Sequence, residues 1–157
     1  GKVNELIFNQ AIDNFLKQDE DKFESLDLKD FNISFVRGLS LEDGAATLTH
    51  LTARLIGDGL IHFMLKNYAP RLDTLSKAIC LVCGGGRKNK YLIEILRDNL
   101  NIKKLILIDD HGIKGDFIES QAFGNLAIRS YLGLPISFPN TTGCKKPSTG
   151  GIIVKNY

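Results

Sequence analysis

The sequence predicts an α/β fold that is rich in helices and contains a small parallel sheet. Most segments carry apolar residues at helical spacing, whereas residues 78–83 and 104–108 are short continuous apolar runs of strand length. A helix-patterned segment separates these runs, and the order strand, helix, strand is typical of a parallel βαβ unit. Because two parallel strands do not form a stable sheet by themselves, we expect further strands to come from sequence outside this chain or from a partner.

The N-terminal part of the chain is predicted to contain two helices. The first covers residues 6–16, where apolar residues recur at positions 8, 11, 12, 15 and 16. Residues 17–38 are charged and uneven in pattern, which indicates a loop or a short extended piece. Ser40 precedes the second helix, which has Glu42 and Asp43 in its first turn, where acidic side chains favour the positive end of the helix dipole.

This long second helix is predicted to bury one apolar face and to pack closely against a neighbouring element. Close packing would explain Gly57 and Gly59, because each glycine weakens a helix by about 1 kcal/mol relative to alanine. The predicted apolar face consists of Ala45, Leu48, Leu51, Thr52, Leu55, Ile56, Gly59, Leu60, Phe63 and Met64.

Two further helices are predicted, over residues 88–100 and 116–132. The buried face of the first is expected to contain Tyr91, Leu92, Ile95, Leu96 and Leu100. The packing residues of the second are expected to be Phe117, Ala122, Phe123, Leu126, Ala127 and Tyr131. Gly133 and Pro135 end the second helix in the usual order. The tail is irregular, and residues 152–154 are predicted to add an edge strand.

Composition and charge argue against several classes of protein. A chain of 157 residues that is 43% hydrophobic and 24% charged predicts a single soluble domain over residues 1–157. The net charge of +2, with no basic run interleaved with aromatic residues, argues against a nucleic-acid partner. No apolar stretch approaches the roughly 18 residues of a membrane span, and we expect neither a membrane partner nor a signal peptide.

The cysteines and histidines give no indication of a disulfide framework or a metal site. Cys80 and Cys83 have the spacing of a redox motif, but both lie in an apolar strand, where positions three apart point to opposite faces. We therefore expect two buried structural thiols and a reducing cytoplasm. His111 has no second histidine or cysteine at ligand spacing, so the prediction is that no metal is bound.

Three consecutive glycines, Gly84, Gly85 and Gly86, follow the first predicted strand and precede a helix. Glycine contributes no side chain and costs backbone entropy, so its benefit lies in positive φ angles and in close approach of the backbone to another group. The pattern is neither the dinucleotide fingerprint nor the phosphate loop of nucleotide hydrolases. The turn predicts nucleotide binding, and a tight turn needed only for the fold is the alternative.

From the glycines onward, the order of features resembles anhydro-N-acetylmuramic acid kinase, a family of the sugar kinase, Hsp70 and actin superfamily. Five parts of the chain carry the likeness: residues 81–89 (Leu-Val-Cys-Gly-Gly-Gly-Arg-Lys-Asn), residues 115–127, Gly133-Leu134-Pro135 with Thr142-Gly143-Cys144, residues 46–53, and Phe8-Asn9-x-Ala11. The departures are Arg87, Ser120, Gly124 and Cys144, all at positions where the family has alanine.

The resemblance implies a partial ribonuclease H-like lobe, the C-terminal lobe of a two-lobe kinase. It implies that ATP with Mg²⁺ phosphorylates O6 of 1,6-anhydro-N-acetylmuramic acid while water opens the anhydro bridge. The product would be N-acetylmuramic acid 6-phosphate, made during peptidoglycan recycling in a bacterial cytoplasm. The family's phosphate loops and catalytic aspartate have no counterpart in residues 1–157, so the missing N-terminal lobe is an expected partner and this chain alone is expected to be inactive. A homodimer is also compatible with the resemblance.

The resemblance also implies roles for particular residues. Gly84, Gly85 and Gly86 would line the adenine and ribose side of the nucleotide cleft. Asn89 stands where it could cap the following helix, and a hydrogen bond to the ribose or base is the alternative. Glu119 would contact the sugar, whereas its plainer role is to stabilise the helix dipole. Asp116 would assist Glu119 with sugar hydroxyls or cap its helix. No catalytic residue is assigned in this chain.

Two other functions remain open at this point. The absent catalytic segment suggests a non-catalytic nucleotide-binding module or a degenerate kinase fragment. An unrelated α/β protein that uses the glycine turn for another phosphate ligand is the third hypothesis.

Overall fold

A computed structural model describes residues 1–16, 31–68, 77–100 and 104–154. The chain divides into two compact units, Gly1–Leu107 and Ile108–Tyr157. The sequence-based expectation of a single domain stays a prediction, because one domain can contain two compact units. The α/β architecture that the sequence predicted, rich in helices with a small parallel sheet, is confirmed.

The first helix, α1 (Glu5–Leu16), confirms the predicted helix over residues 6–16. Asn4 Oδ1 accepts a hydrogen bond from the Ile7 N–H group at 3.0 Å, which satisfies a backbone donor that the helix itself leaves free. Ile12 is buried against Leu51 and Leu55. Half-buried side chains surround this cluster: Phe8, Ala11, Phe15 and Phe35. The apolar stripe of α1 therefore attaches the N-terminal segment to the next helix.

The long helix α2 (Leu41–Tyr68) begins where the sequence predicted, directly after Ser40. Ser40 Oγ accepts a hydrogen bond from the Asp43 N–H group at 3.1 Å, as an N-cap does. The Asp43 carboxylate in turn accepts the Lys2 N–H group at 2.7 Å, and this hydrogen bond lowers the pKa of Asp43. The N-terminal segment is thus held to α2 by a polar contact as well as by apolar packing.

The predicted apolar face of α2 is right for Leu51 and Leu55 and wrong for several other positions. Ile56 and Phe63 are 46% and 51% exposed, and Ala45 is exposed. The buried residues instead include three small side chains: Ala46, Thr47 and Ala53. The reason is that α2 packs against α1 on one side and against the helix α3 (Lys90–Asn99) on another, so its buried surface is not a single stripe.

Gly57 lies where α2 and α3 come close together. A Cβ atom at Gly57 would stand 3.6 Å from Leu100 Cδ2, within ordinary van der Waals contact. The predicted close packing is therefore confirmed at Gly57, and at Gly59 it stays a prediction.

Strands β1 (Ile79–Val82) and β2 (Lys104–Leu107) pair in parallel, with Ile79 beside Lys104 and Val82 beside Leu107. Helix α3 connects them, so the predicted βαβ unit is confirmed. The core between α2, α3 and the sheet contains Ala53, Leu92, Ile93, Ile95, Leu96, Leu100 and Leu105. Tyr91 was expected there but is 44% exposed, because its hydroxyl reaches the surface and lies 3.4 Å from His50 Nδ1.

Continuous apolar runs such as those of β1 and β2 are typical of strands that are covered on both faces, but the described residues cover only one face of this sheet. Ile79 and Leu81 lie on the face opposite α3 and are 56% and 54% exposed, since no described element packs over them. Cys80 is half-buried on the core side, and its burial raises the pKa of its thiol. Cys83 is exposed because β1 ends before it, so the predicted burial of both thiols is wrong for Cys83.

The second unit contains α4 (Ile118–Tyr131), which confirms the predicted helix, and the short helix α5 (Pro139–Thr142). Gly133, at φ 67°, ends α4 as expected. The predicted packing of Phe123 and Tyr131 is wrong, since they are 68% and 73% exposed. Residues 152–154 form no strand, because in the described part of this unit no strand is present for them to pair with.

Among the described residues, no helix combines the length and the apolar character needed to cross a membrane.

Thr47 provides a direct test of how the N-terminal segment is attached. Its side chain is fully buried, its hydroxyl donates to the Asp43 carbonyl at 2.7 Å, and its Oγ1 accepts the Asn4 N–H group at 3.0 Å. We expect Thr47→Val to lower the free energy of unfolding by about 1–3 kcal/mol, because the Asn4 donor loses its acceptor. Urea unfolding would measure this.

Thr52→Val is the matched control, because exposed Thr52 donates to the Leu48 carbonyl of its own helix. We expect it to change the stability by less than about 0.5 kcal/mol. Equal effects of the two substitutions would show that the contact between Asn4 and Thr47 contributes nothing specific.

Candidate functional site

The three glycines form the turn between β1 and α3. Gly84 has φ 79° and ψ 178°, and Gly85–Lys88 continues as a short 3₁₀ helix. Asn89 follows as the N-cap of α3, and its Oδ1 accepts the Leu92 N–H group at 3.1 Å. The simpler role predicted for Asn89, helix capping, is therefore confirmed. Its N–H group also donates to the Gly86 carbonyl at 3.0 Å and closes the turn.

Within the described part of the chain, a structural need for glycine is seen at one of these three positions. Gly84 adopts a backbone conformation that is essentially restricted to glycine. Gly85 and Gly86 do not have positive φ angles. A Cβ atom at Gly85 would have no described atom within 4 Å, and one at Gly86 would make an ordinary contact of 3.7 Å with Leu92 Cδ2. The alternative of a purely structural turn thus accounts for Gly84 but not for Gly85 or Gly86.

Arg87 lies in the same turn, inside the 3₁₀ helix Gly85–Lys88, and had no predicted role. Its side chain is 8% exposed, and Nη1 donates a hydrogen bond to the Gly84 carbonyl at 2.8 Å. Position alone gave no signal, because an arginine beside glycines in a turn is ordinarily solvated. Beside it lies a recess of about 180 Å³ that is lined by Arg87, Lys90, Ile93, Glu94, Arg97 and Leu107.

Glu119 and Asp116 lie at the start of α4. Glu119 is exposed in the first turn of this helix, the position that the sequence predicted. Asp116 is inside a 3₁₀ turn, Gly115–Phe117, and Phe117 occupies the N-cap position of α4. The capping role predicted for Asp116 is therefore wrong, because the 3₁₀ turn moves the start of α4 two residues further along the chain.

Asp109 is the acidic residue that orders this loop. Its Oδ1 accepts the Gly115 N–H group at 3.3 Å, so its carboxylate closes the segment from residue 109 to residue 115 within the second unit.

The candidate residues form two groups, one in each unit. Gly84, Gly85, Gly86 and Asn89 are brought together in a single turn of the first unit. Glu119 and Asp116 lie close together at one helix start in the second unit.

A larger cavity of about 790 Å³ lies elsewhere in the first unit, between α1, α2 and residues 31–35. Its lining contains aromatic, aliphatic and uncharged polar side chains, and no candidate residue belongs to it. A phosphate-bearing ligand needs hydrogen-bond donors or positive charge, so this cavity is a poor match for a nucleotide.

Within the described ranges, no group of three or more histidine, cysteine, aspartate or glutamate side chains is placed to hold a metal ion.

Comparison with known proteins decides the family. A family model described as "Anhydro-N-acetylmuramic acid kinase" matches residues 20–156. This chain belongs to that family. The resemblance found in the sequence is therefore confirmed, and with it the predicted superfamily, that of sugar kinases, Hsp70 and actin.

Individual members of the family agree along most of the chain. The sequence is 51% identical to the anhydro-N-acetylmuramic acid kinase of Pelagibacter ubique over 159 aligned residues, covering 100% of this chain and 40% of the relative. It is 42% identical to that of Zymomonas mobilis, covering 83% of this chain and 33% of the relative. It is 39% identical to that of Caulobacter vibrioides, covering 98% of this chain and 38% of the relative. The chain thus spans about two fifths, or less, of these relatives.

The unequal need for glycine in the turn gives a stability test. We expect Gly84→Ala to lower the free energy of unfolding by about 1–3 kcal/mol, because alanine is strained at φ 79° and ψ 178°. Gly85→Ala should leave the free energy of unfolding unchanged or raise it by up to about 1 kcal/mol. The folded turn has space for the added methyl group, and alanine lowers the conformational entropy of the unfolded chain. Denaturant unfolding of both variants measures the difference. A large loss in Gly85→Ala would mean that the fold itself needs this glycine.

Proposed function

We propose that this chain is the C-terminal, nucleotide- and sugar-binding lobe of an ATP-dependent kinase. The reaction is conversion of 1,6-anhydro-N-acetylmuramic acid to N-acetylmuramic acid 6-phosphate. The observation that carries the proposal is the exposed backbone of Gly85 and Gly86, where the described residues show no structural need for glycine, in a chain of this family. Because the chain spans about 40% of its relative from Pelagibacter ubique, the reaction belongs to the whole protein.

The glycine turn supports a nucleotide at this position. The ideal Cβ position of Gly85 has no described neighbour within 4 Å, so a planar base or a ribose has space to approach the backbone there. Asn89 uses Oδ1 for the cap, so its contribution to the nucleotide would come from its Nδ2–H donors. When bound, ATP with Mg²⁺ supplies the phosphoryl group for transfer, and the magnesium arrives with the phosphates rather than in a protein cage.

Glu119 is the residue that we propose for the sugar. Its carboxylate is exposed at the start of α4, and a carboxylate accepts hydrogen bonds from the hydroxyl and amide groups of an amino sugar. Asp116, three residues earlier and also exposed, would add acceptors on the same approach.

Groups that activate water are proposed to lie in the part of the family's length that this chain does not span. Phosphoryl transfer depends mainly on positioning and on electrostatic stabilisation, so a lobe that binds the nucleotide and the sugar contributes by orienting them. Closure of the two lobes would exclude bulk water and select the substrate. The proposed setting is peptidoglycan recycling in a bacterial cytoplasm, which the bacterial sources of the relatives support.

The competing proposal is a non-catalytic nucleotide-binding module or a degenerate kinase fragment. The observation that favours it is that the residues assigned in this chain, the glycine turn and Glu119, bind and orient groups, and none is assigned to activate water. It predicts nucleotide binding without turnover.

The deciding experiment incubates the full natural chain that contains this sequence with ATP, Mg²⁺ and 1,6-anhydro-N-acetylmuramic acid. We expect mass spectrometry to detect the hydrated, phosphorylated sugar and isothermal calorimetry to detect MgATP binding. Binding without product would support the non-catalytic alternative. A folded chain that neither binds MgATP nor forms product would exclude both.

Gly85→Val tests whether the nucleotide binds at the glycine turn. A bulky side chain there should weaken MgATP binding at least tenfold, because it occupies the space beside the backbone. Unchanged affinity would show that the glycine turn does not contact MgATP, although the chain belongs to this family.

Glu119→Gln tests the sugar site. We expect the KM for the anhydro sugar to rise about 10- to 100-fold while the KM for MgATP stays constant, since a hydrogen bond to a charged group contributes about 1.5–3 kcal/mol. Asp110→Asn removes one negative charge from an exposed position in the preceding 3₁₀ turn and should leave both constants unchanged. If Glu119→Gln only lowered stability, by about 0.3–1 kcal/mol, the residue would act on the helix dipole alone.

A further inference from the structure

Arg87 is a buried charged residue in a turn of glycines. Among the described residues, the buried polar or charged side chains are Thr47 and Arg87, which is 8% exposed. A guanidinium group does not lose its proton in proteins, so its charge must be satisfied by hydrogen bonds wherever it is buried. The structure shows one of these bonds, from Nη1 to the Gly84 carbonyl at 2.8 Å.

This hydrogen bond acts on the glycine whose backbone is most restricted. Gly84 is held at φ 79° and ψ 178°, a conformation that is essentially restricted to glycine. Glycine has many other accessible conformations, so this one must be selected by its surroundings. A charge-assisted bond to its carbonyl favours this conformation over the alternatives. The carbonyl belongs to the residue that begins the turn, so fixing it fixes the direction in which Gly85 and Gly86 leave β1.

Without such a bond, three consecutive glycines would sample many conformations. A site that is in its binding-competent form for only a fraction of the time has an apparent affinity reduced by that fraction. Ordering the turn before the ligand arrives therefore increases affinity without any contact between the ordering residue and the ligand.

We infer that Arg87 is a positioning residue that holds Gly84–Gly86 in the form that receives an adenine nucleotide. This inference rests on the proposed function, because it assigns Arg87 to the same turn. Arg87 acts through the Gly84 carbonyl, and the open side of the turn, where Gly85 has space for a ligand, remains free of its side chain.

The test compares two substitutions in the full natural chain that contains this sequence. Arg87→Met keeps a long apolar side chain and removes the donor, and the adjoining recess of about 180 Å³ gives that side chain space to settle. Arg87→Lys keeps a charged donor. Lys90→Met is the control, because it removes one positive charge from an exposed residue near the turn.

Three quantities are measured for each variant: the Kd for MgATP, the KM for the anhydro sugar and the hydrogen-exchange rate of the Asn89 amide. The Asn89 N–H group donates to the Gly86 carbonyl at 3.0 Å, so its exchange reports opening of the turn whether or not a nucleotide is bound. We expect Arg87→Met to raise the Kd for MgATP and the Asn89 exchange rate about tenfold each, with the KM for the sugar unchanged. A tenfold change corresponds to about 1.4 kcal/mol. Arg87→Lys should stay within about threefold of the wild type, and Lys90→Met should change none of the three quantities.

Several outcomes would overturn the inference, and each has a different meaning. If Arg87→Met lowered the melting temperature but left MgATP affinity unchanged, Arg87 would be structural only. If Arg87→Met failed to fold, Arg87→Lys would be the deciding variant. Weaker MgATP binding by Arg87→Lys, together with a normal exchange rate of its Asn89 amide, would reject the idea that Arg87 acts by positioning the turn. A wild-type chain that binds no MgATP would reject the proposed function and the nucleotide role of Arg87 together. Asn89 exchange would then still show whether Arg87 orders the turn.

Discussion

The packing of α3 between α2 and the two strands is the contact on which the first unit depends. Ala53 of α2 is completely buried, and Leu96 of α3 is 3% exposed in the same core. The methyl group of Ala53 and the absence of a side chain at Gly57 allow the two helices to approach closely, and Leu100 packs against that surface. Because α3 is also the crossover between β1 and β2, its position sets the register of both strands and the place where the glycine turn begins.

The glycine turn is attached to this core through the first turn of α3. Leu92 packs in the core from the first turn of α3, while its N–H group is held by the Asn89 side chain. The turn is therefore fixed at its far end by Asn89 and at its near end by the bond from Arg87 to Gly84. Between these two points lie Gly85 and Gly86, whose missing side chains serve no packing purpose among the described residues. Exposed backbone that is hydrogen-bonded at both of its ends is the arrangement expected of a ligand-binding turn.

The second unit is built differently, with little core of its own among the described residues. None of the residues of α4 is buried, and its apolar side chains Phe123, Ile128 and Tyr131 are more than 60% exposed. Local hydrogen bonds hold the ends of its helices, such as the one from Arg129 Nε to the Pro135 carbonyl at 2.8 Å. Because the helix is held by local hydrogen bonds and not by burial, the carboxylate of Glu119 in its first turn stays accessible.

The sequence by itself determined the helices, the parallel βαβ unit and the family, because these follow from local periodicity and from short motifs. The cap of α2 at Ser40, the cap of α3 at Asn89 and the glycine turn were readable for the same reason, since each depends on neighbours within a few residues. The tertiary structure decided which faces are buried. Helix α2 has two packing partners, so Ala53 is buried while Ile56 is exposed, and no pattern within one helix reveals a second partner. It also decided the place of Arg87, which is buried and bonded to the Gly84 carbonyl although Gly85 and Gly86 beside it are exposed.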